Sequence, residues 1–186
     1  MAQFSKSYKL LTDAEFASNP KKFLHKNKTE THLTLGGIYE RYHSLATNWQ
    51  FVHSILDICE GSLERASVML YNDDKTYSEV AEFFEKEFWL PMKLDEIQSQ
   101  KVADEIFLSG VHIGKRNAIK LAQELVGAKT DGFIGNITIK CLNNYDERVF
   151  DKMFDKLEID NYELMIEQNE KLAFYRDGFI NRATIV

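Results

Sequence analysis

Apolar positions recur at helical spacing over most of this chain. In residues 118–126 they fall at i, i+1, i+4, i+7 and i+8, which places them on one face of a helix with about 3.6 residues per turn. Residues 21–44 hold no such period and contain the Gly36-Gly37 pair, so they predict a long irregular loop, with a small hairpin as one form. The pattern predicts a mainly α fold of about eight helices. Further apolar faces predict helices over about residues 3–16, 46–56, 77–88, 94–108, 149–157 and 162–175.

A glycine-dependent turn separates the helix at residues 118–126 from the next one. Asp131 and Gly132 can reverse the chain there, because glycine adopts positive φ without steric penalty. Gly135 and Asn136 then supply a helix start for a segment that ends near Leu142. This stretch therefore predicts two short helices joined by a fixed loop.

Composition limits the possible partners and compartments. The chain has 186 residues, 44% of them hydrophobic, and only two Pro, which suits one compact domain or two small packed lobes. Its net charge of -6 argues against general attraction to nucleic acid. No stretch approaches the roughly 20 apolar residues of a membrane span, and no N-terminal run of about 7–15 apolar residues indicates a secretory signal. We therefore expect no stable membrane insertion.

The two cysteines, Cys59 and Cys141, lie outside any Cys-x-x-Cys spacing. Isolated thiols of this kind are typical of proteins in a reducing cytosol.

Two common kinds of chemistry are disfavoured by residue spacing. His25, His32 and His43 lack the spacing of a metal site, so no metal or other cofactor is predicted. His53 and Cys59 would lie on different faces of one helix, which disfavours a thiol nucleophile.

The last part of the chain carries a pattern of Gly, Gln, Asp, Thr, Asn and Arg at fixed places. Its members are Gly114, Ala118, Ile119, Gln123, Asp131, Gly132, Ile134, Gly135, Thr138, Asn169, Gly178, Phe179, Ile180, Asn181 and Arg182. This pattern resembles the C-terminal peptidoglycan-binding module of glycoside hydrolase family 108, the phage and bacterial muramidases described as endolysins or secretion activators. Asn136 stands where that family usually has Pro, and both residues suit a helix start.

The first part of the chain matches the same family in part. The family has Glu-Gly-Gly-Tyr and then a loop that ends Thr-x-x-Gly-Ile. This chain has Glu15-Phe16-Ala17-Ser18 and then Thr34-Leu35-Gly36-Gly37-Ile38. The Thr, the second Gly and the Ile match, whereas the Gly-Gly-Tyr after the glutamate is replaced.

The resemblance implies a catalytic role for Glu15. Cleavage of a glycosidic bond needs a carboxylic acid that keeps its proton near neutral pH, and Glu15 stands at the end of the first predicted helix, where muramidase-like folds place that acid. Glu30 falls near a family Asp, and it either activates the attacking water or pairs with Lys28 in solvent. Thr34 either orients water or a carboxylate, or hydrogen-bonds the loop backbone.

The same loop offers candidate sugar contacts. Gly36 and Gly37 would let the backbone approach a sugar closely. Tyr39 offers an aromatic face on which a sugar ring can stack, whereas Trp49 lies on the apolar face of its helix and is expected in the core.

Together these features predict a mainly α, lysozyme-like multi-helix fold with a small irregular or hairpin region. Residues 1–94 would form the catalytic lobe and residues 95–186 a helical peptidoglycan-binding lobe packed against it. The expected activity is hydrolysis of the β-1,4 bond between N-acetylmuramic acid and N-acetylglucosamine. The alternatives are a lytic transglycosylase acting on the same bond and a non-enzymatic wall-binding or secretion-assisting protein.

The resemblance also implies partners and a place of action. The partner would be peptidoglycan glycan strands, met by a monomer that binds no nucleic acid. Like an endolysin, the protein would wait in the cytoplasm until a holin allowed its release to the periplasm.

Overall fold

The structure is a computed structural model that describes residues 1–17, 19–28 and 30–186, and the side chain of Ala17 is outside the description. Within these ranges it has nine α-helices and one small sheet, so the prediction of a mainly α fold is confirmed. The α-helices are α1 (Phe4–Thr12), α2 (Trp49–Ile58), α3 (Leu63–Tyr71), α4 (Asp74–Phe84), α5 (Gln100–Ile113), α6 (Lys115–Leu125), α7 (Asn136–Asn144), α8 (Glu147–Gln168) and α9 (Arg176–Ala183). The strands are β1 (Leu24–His25), β2 (Thr34–Leu35) and β3 (Ile38–Tyr39).

Short helical turns of other types connect several of these elements. Two π-helical turns follow α1 and α4 directly, at Asp13–Ala17 and Glu85–Trp89. Three 3₁₀ turns lie at Pro20–Lys22, Leu94–Glu96 and Glu170–Tyr175. None of the helices in the described ranges is long and apolar enough to cross a bilayer.

The chain divides into two compact units. One is continuous, Leu11–Lys86, and is called the hairpin unit here because it holds the sheet. The other combines Met1–Leu10 with Glu87–Val186 and is called the helical unit. These bounds differ from the predicted ranges 1–94 and 95–186, and the assignment of catalysis and wall binding to separate lobes stays a prediction.

The hairpin unit is built around an antiparallel sheet in the order β1-β2-β3. Its register pairs Leu24 with Leu35 and Leu35 with Ile38, and all three side chains are fully buried. Residues directly opposite in an antiparallel pair lie on the same face, so one face of the sheet belongs to the core. Phe23, just before β1, extends this core through edge-to-face contacts with Phe16 and Tyr71, with ring centroids 5.4 and 5.5 Å apart.

The helical unit is organised around α5. Every residue from Val102 to Gly110 is buried, because this helix packs on α6 on one side and on α8 on another. Phe107 also meets Phe4 of α1 and Trp89, with ring centroids 5.9 Å away in both cases. This stretch is buried on all sides, as is typical of a central helix, and it includes the polar residues Asp104, Glu105 and Ser109.

Several elements differ from the sequence predictions. The helices predicted over residues 149–157 and 162–175 are one continuous helix, α8, followed by a 3₁₀ turn, and α9 was not predicted. The helix predicted over residues 94–108 is a 3₁₀ turn and then α5, because Ile97 is extended and Ser99 caps the new helix. Helix α3 was missed, although Ser62 caps its start and Ala66 and Leu70 form its buried side. Residues 21–44, predicted as an irregular loop with a small hairpin as one form, contain the β2-β3 hairpin and also β1, and each strand has two residues.

Candidate active site

The second face of the sheet carries polar and aromatic side chains. The register pairs His25 with Thr34 and Thr34 with Tyr39, so these three residues lie across the strands on the face opposite the core. His25 and Tyr39 are partly exposed, whereas Thr34 is only 7% exposed. The sheet therefore presents a hydroxyl between an imidazole and a phenol ring.

Glu30 lies next to this row of side chains. The Thr34 hydroxyl donates to Glu30 Oε2 at 3.5 Å, and the Asn27 amide donates to the same oxygen at 3.4 Å. Both bonds are long, which leaves the carboxylate able to accept a further donor. Two of the predicted site residues, Glu30 and Thr34, are thus brought together by the fold.

Glu15 lies in the π-helical turn Asp13–Ala17 and is partly buried. The next residue, Phe16, is buried and packs edge-to-face on Phe23, the residue immediately before β1. This contact anchors the turn that carries Glu15 beside the first strand of the sheet. π-helical turns are rare and occur often at functional sites, because they reposition one side chain relative to a regular helix.

Gly36 and Gly37 form the turn between β2 and β3, and both have positive φ, +53° and +88°. Gly36 is buried, and a Cβ added to it would lie 2.7 Å from Val80 Cγ1 and 2.8 Å from Phe23 Cε2. Gly36 therefore has a packing role, since only glycine leaves room for those side chains. Gly37, unlike Gly36, is exposed to solvent.

Tyr39 belongs to a short row of aromatic rings. Its centroid lies 5.4 Å from that of Tyr42 and 6.2 Å from that of His32, both edge-to-face. Tyr42 is 74% exposed, and Tyr39 is partly buried. The row therefore places aromatic faces and edges beside the polar face of the sheet, and a sugar ring can pack on such faces. Trp49, expected in the core, is 7% exposed and donates its indole N–H to the His43 carbonyl.

A pocket of about 500 Å³ opens next to His32 and was missed by sequence reasoning. At its wall His53 Nε2 lies 2.7 Å from Glu40 Oε1, and the Leu33 amide donates to Glu40 Oε2 at 3.2 Å. Burial works against ionisation of Glu40, but the hydrogen bonds from His53 and Leu33 outweigh it and lower the pKa of Glu40. The lining residues are Lys26, Thr31, His32, Leu33, Glu40, His53, Leu56, Gly61 and Leu63.

Sequence spacing gave no sign of this pair. Glu40 follows β3, whereas His53 lies on α2. Two residues in separate elements that far apart show no local pattern, and the contact exists only after α2 packs on the hairpin.

In the helical unit, four of the residues that carry the family resemblance belong to one hydrogen-bond network around Gln123, which is 1% exposed: Gln123, Asp131, Gly132 and Thr138. Gln123 Nε2 donates to the Phe133 carbonyl at 2.9 Å, to Asp131 Oδ1 at 3.1 Å and to Thr138 Oγ1 at 3.3 Å. Gln123 Oε1 accepts from the Gly132 amide at 2.9 Å. One buried amide therefore fixes the whole Asp-Gly turn.

The comparisons with known proteins bear on the fold. No family model and no curated protein sequence matches the chain. Among solved structures, Brucella abortus SagA matches with a TM-score of 0.63 and 16% sequence identity, over 97% of this chain and 89% of that chain. The chain therefore shares its fold with SagA over nearly its whole length.

Proposed function

We propose that this protein is a peptidoglycan-degrading muramidase in which Glu15 is the general acid. The observation that carries the proposal is the assembly in the hairpin unit. Thr34 lies on the polar face of the sheet next to Tyr39 and is hydrogen-bonded to Glu30, and the turn that bears Glu15 is anchored on the residue preceding that sheet. The fold shared with SagA and the resemblance to glycoside hydrolase family 108 support this reading.

The proposed reaction uses two carboxyl groups with different tasks. Protonated Glu15 donates its proton to the bridging oxygen as the bond from the N-acetylmuramic acid C1 to that oxygen breaks. Glu30, which accepts a hydrogen bond from the Thr34 hydroxyl, takes up a proton from the water that attacks C1. The products are two glycan chains, one of which ends in a reducing N-acetylmuramic acid.

The surroundings of the sheet suit an acetylated, acidic glycan. Tyr39 and Tyr42 provide ring faces on which a sugar can stack. The neighbouring pocket adds Lys26 and the Glu40–His53 pair, which can donate to and accept from amide and carboxylate groups. A glycan bound here would thus stack on the aromatic rings and make polar contacts with the neighbouring pocket.

The helical unit would grip the wall polymer. Phe133 lies in the turn fixed by Gln123 and is 70% exposed. The Arg116 guanidinium carbon lies over its ring, 5.5 Å from the ring centroid. An exposed aromatic ring on a rigid turn can bind a sugar with little loss of side-chain conformational entropy. We further propose that the protein acts as a monomer and leaves the cytoplasm with the help of a holin.

Product analysis tests the reaction class directly. Purified protein is incubated with sacculi, and the soluble fragments are examined by mass spectrometry before and after borohydride reduction. Hydrolysis predicts fragments with reducing ends that gain two hydrogens. Fragments with 1,6-anhydro ends, which cannot be reduced, would assign the protein to the lytic transglycosylases instead.

A non-enzymatic wall-binding role has one observation in its favour. Phe16 stands where glycoside hydrolase family 108 has the first glycine after its glutamate. Its side chain is buried in the core and packs on Phe23. Protein that sediments with sacculi but releases no fragments under any condition would support that role over catalysis.

A further inference from the structure

A group of carboxylates lies inside the helical unit, which does not contain the residues of the proposed active site. Glu105 of α5 and Asp151 and Asp155 of α8 each place one oxygen so that the three lie within 4.8 Å of one another. Asp151 and Asp155 are one helical turn apart, so both face α5. The cluster therefore joins the two helices at one point.

The cluster contains carboxylate oxygens that no protein donor satisfies. Glu105 is 2% exposed, and its Oε1 is buried without a hydrogen-bond partner. Asp155 Oδ1 is also buried and has no partner. Buried carboxylate oxygens normally have a donor or a cation, because leaving them unsatisfied costs several kcal/mol of desolvation. These two atoms thus point to a ligand that supplies positive charge.

The local charge balance supports the same conclusion. Lys101 Nζ lies 3.1 Å from Asp151 Oδ1, which gives one positive charge to three carboxylates. A fourth carboxyl, Glu158, is 3% exposed on the same helix. One lysine therefore offsets only part of the negative charge of these carboxyl groups, and a bound cation would offset the rest.

We propose that Glu105, Asp151 and Asp155 bind a hard divalent cation, with Ca²⁺ as the best fit, which links α5 to α8. Three oxygen ligands and no nitrogen or sulfur are the donor set of Ca²⁺ or Mg²⁺ and not of Zn²⁺. Ca²⁺ accepts irregular sets of oxygen ligands at about 2.3–2.6 Å, whereas Mg²⁺ requires a nearly ideal octahedron at about 2.0–2.1 Å, so carboxylates from two separate helices suit Ca²⁺ better. Water would complete the shell on the partly exposed side of Asp151.

The site would be structural, and it does not depend on the proposed muramidase activity. Helix α5 is the buried centre of the helical unit, and α8 is its longest helix. A cation between them would stabilise the folded state in proportion to its occupancy, because the unfolded chain does not bring the two helices together.

The test is a cation titration of the full chain after removal of metal with EDTA and desalting. Thermal unfolding is followed at constant ionic strength near neutral pH with CaCl₂, with MgCl₂ and with KCl alone, and calorimetry gives the stoichiometry. We expect one Ca²⁺ per chain and a Tm rise of about 5–10 °C at a hundredfold excess over Kd. A weaker response to MgCl₂ and none to KCl are expected.

Two variants distinguish this site from general binding of cations to an acidic protein. Glu105→Gln keeps the shape and removes one ligand charge, and its neutral amide also relieves repulsion, so the variant is expected to fold without cation. Its Tm response to CaCl₂ should fall to that seen with KCl. Asp160→Asn removes the same charge from an exposed position on α8 and should keep the wild-type response.

Two results would overturn the proposal. One is a wild-type Tm that responds to neither CaCl₂ nor MgCl₂, as expected if Glu105 and Asp151 simply share a proton. The other is an equal CaCl₂ response in wild type and Glu105→Gln, which would place the bound cation elsewhere.

Discussion

Replacing Gln123 by Leu should destabilise the helical unit by removing the one amide that fixes the Asp-Gly turn. Leucine fills a similar volume but offers no donor or acceptor, so the Gly132 amide loses its acceptor and remains buried. An unsatisfied buried N–H costs about 1–3 kcal/mol. The Phe133 carbonyl and the Thr138 hydroxyl lose a donor, at about 1 kcal/mol each. We expect a total loss of about 3 kcal/mol.

Urea unfolding and thermal unfolding measure the global effect. For a chain of this size, a loss of about 3 kcal/mol corresponds to a Tm decrease of about 6–12 °C. Hydrogen exchange gives the local readout, because the Gly132 and Phe133 amides should exchange faster in the variant than in the wild type. The matched control is Glu124→Leu, an exposed position next to Gln123 on α6, which should change stability by less than about 0.5 kcal/mol. A loss below about 1 kcal/mol for Gln123→Leu, with unchanged exchange at both amides, would refute this reasoning.

Three further predictions concern the hairpin unit. Gly36→Ala should cost about 2–4 kcal/mol in urea unfolding, because its φ is +53° and the new Cβ would lie 2.7 Å from Val80 Cγ1. Gly61→Ala has φ +76° with nothing within 4 Å of the new Cβ, so it should cost only about 1 kcal/mol, and equal losses would argue against the packing role of Gly36. Asp73→Ala should cost about 1 kcal/mol near neutral pH, because it removes the N-cap of α4. The hydrogen bonds from Thr76 lower the pKa of Asp73 below 3.8. The stability difference between wild type and Asp73→Ala should therefore be fully present above pH 3.8 and shrink as the pH falls through the pKa of Asp73 in the folded state. A stability difference that does not change with pH would contradict this prediction.

The turn in the helical unit was predictable from sequence because its chemistry is local. Gly132 has φ +75°, and a Cβ there would lie 2.5 Å from Arg116 Cγ, so only glycine suits the position. Gln123, Asp131 and Thr138 occupy the places at which their side chains can meet once two helices flank a short loop. The turn was predicted from the sequence, whereas the hydrogen bonds among these side chains are seen only in the structure.

The hairpin region was predictable only in outline. Strands of two residues leave no alternating pattern to detect, so residues 21–44 read as an irregular loop. Helix α3 escaped notice because its exposed face also carries the apolar residues Val68 and Met69, which blur its period. Its N-cap, Ser62, was the available signal.

Contacts between distant segments were not predictable from spacing at all. Glu40 and His53 meet only when α2 packs on the hairpin. Glu105 meets Asp151 and Asp155 only when α5 packs on α8, and a search for histidine and cysteine spacing does not detect a site made of carboxylates. The roles of Glu15, Glu30, Thr34, Gly36, Gly37 and Tyr39 in catalysis and sugar binding stay predictions.

The central claim is that Glu15 donates a proton to the glycosidic oxygen, and the clearing of purified sacculi tests it most directly. The account predicts that Glu15→Gln lowers the clearing rate by about a hundredfold or more, because general acid catalysis contributes about that much. Glu64→Gln, at an exposed position paired with Lys21, should clear at the wild-type rate, and both variants should unfold at the wild-type temperature. Equal clearing rates for Glu15→Gln and wild type would contradict the account, as would wild-type protein that clears no sacculi.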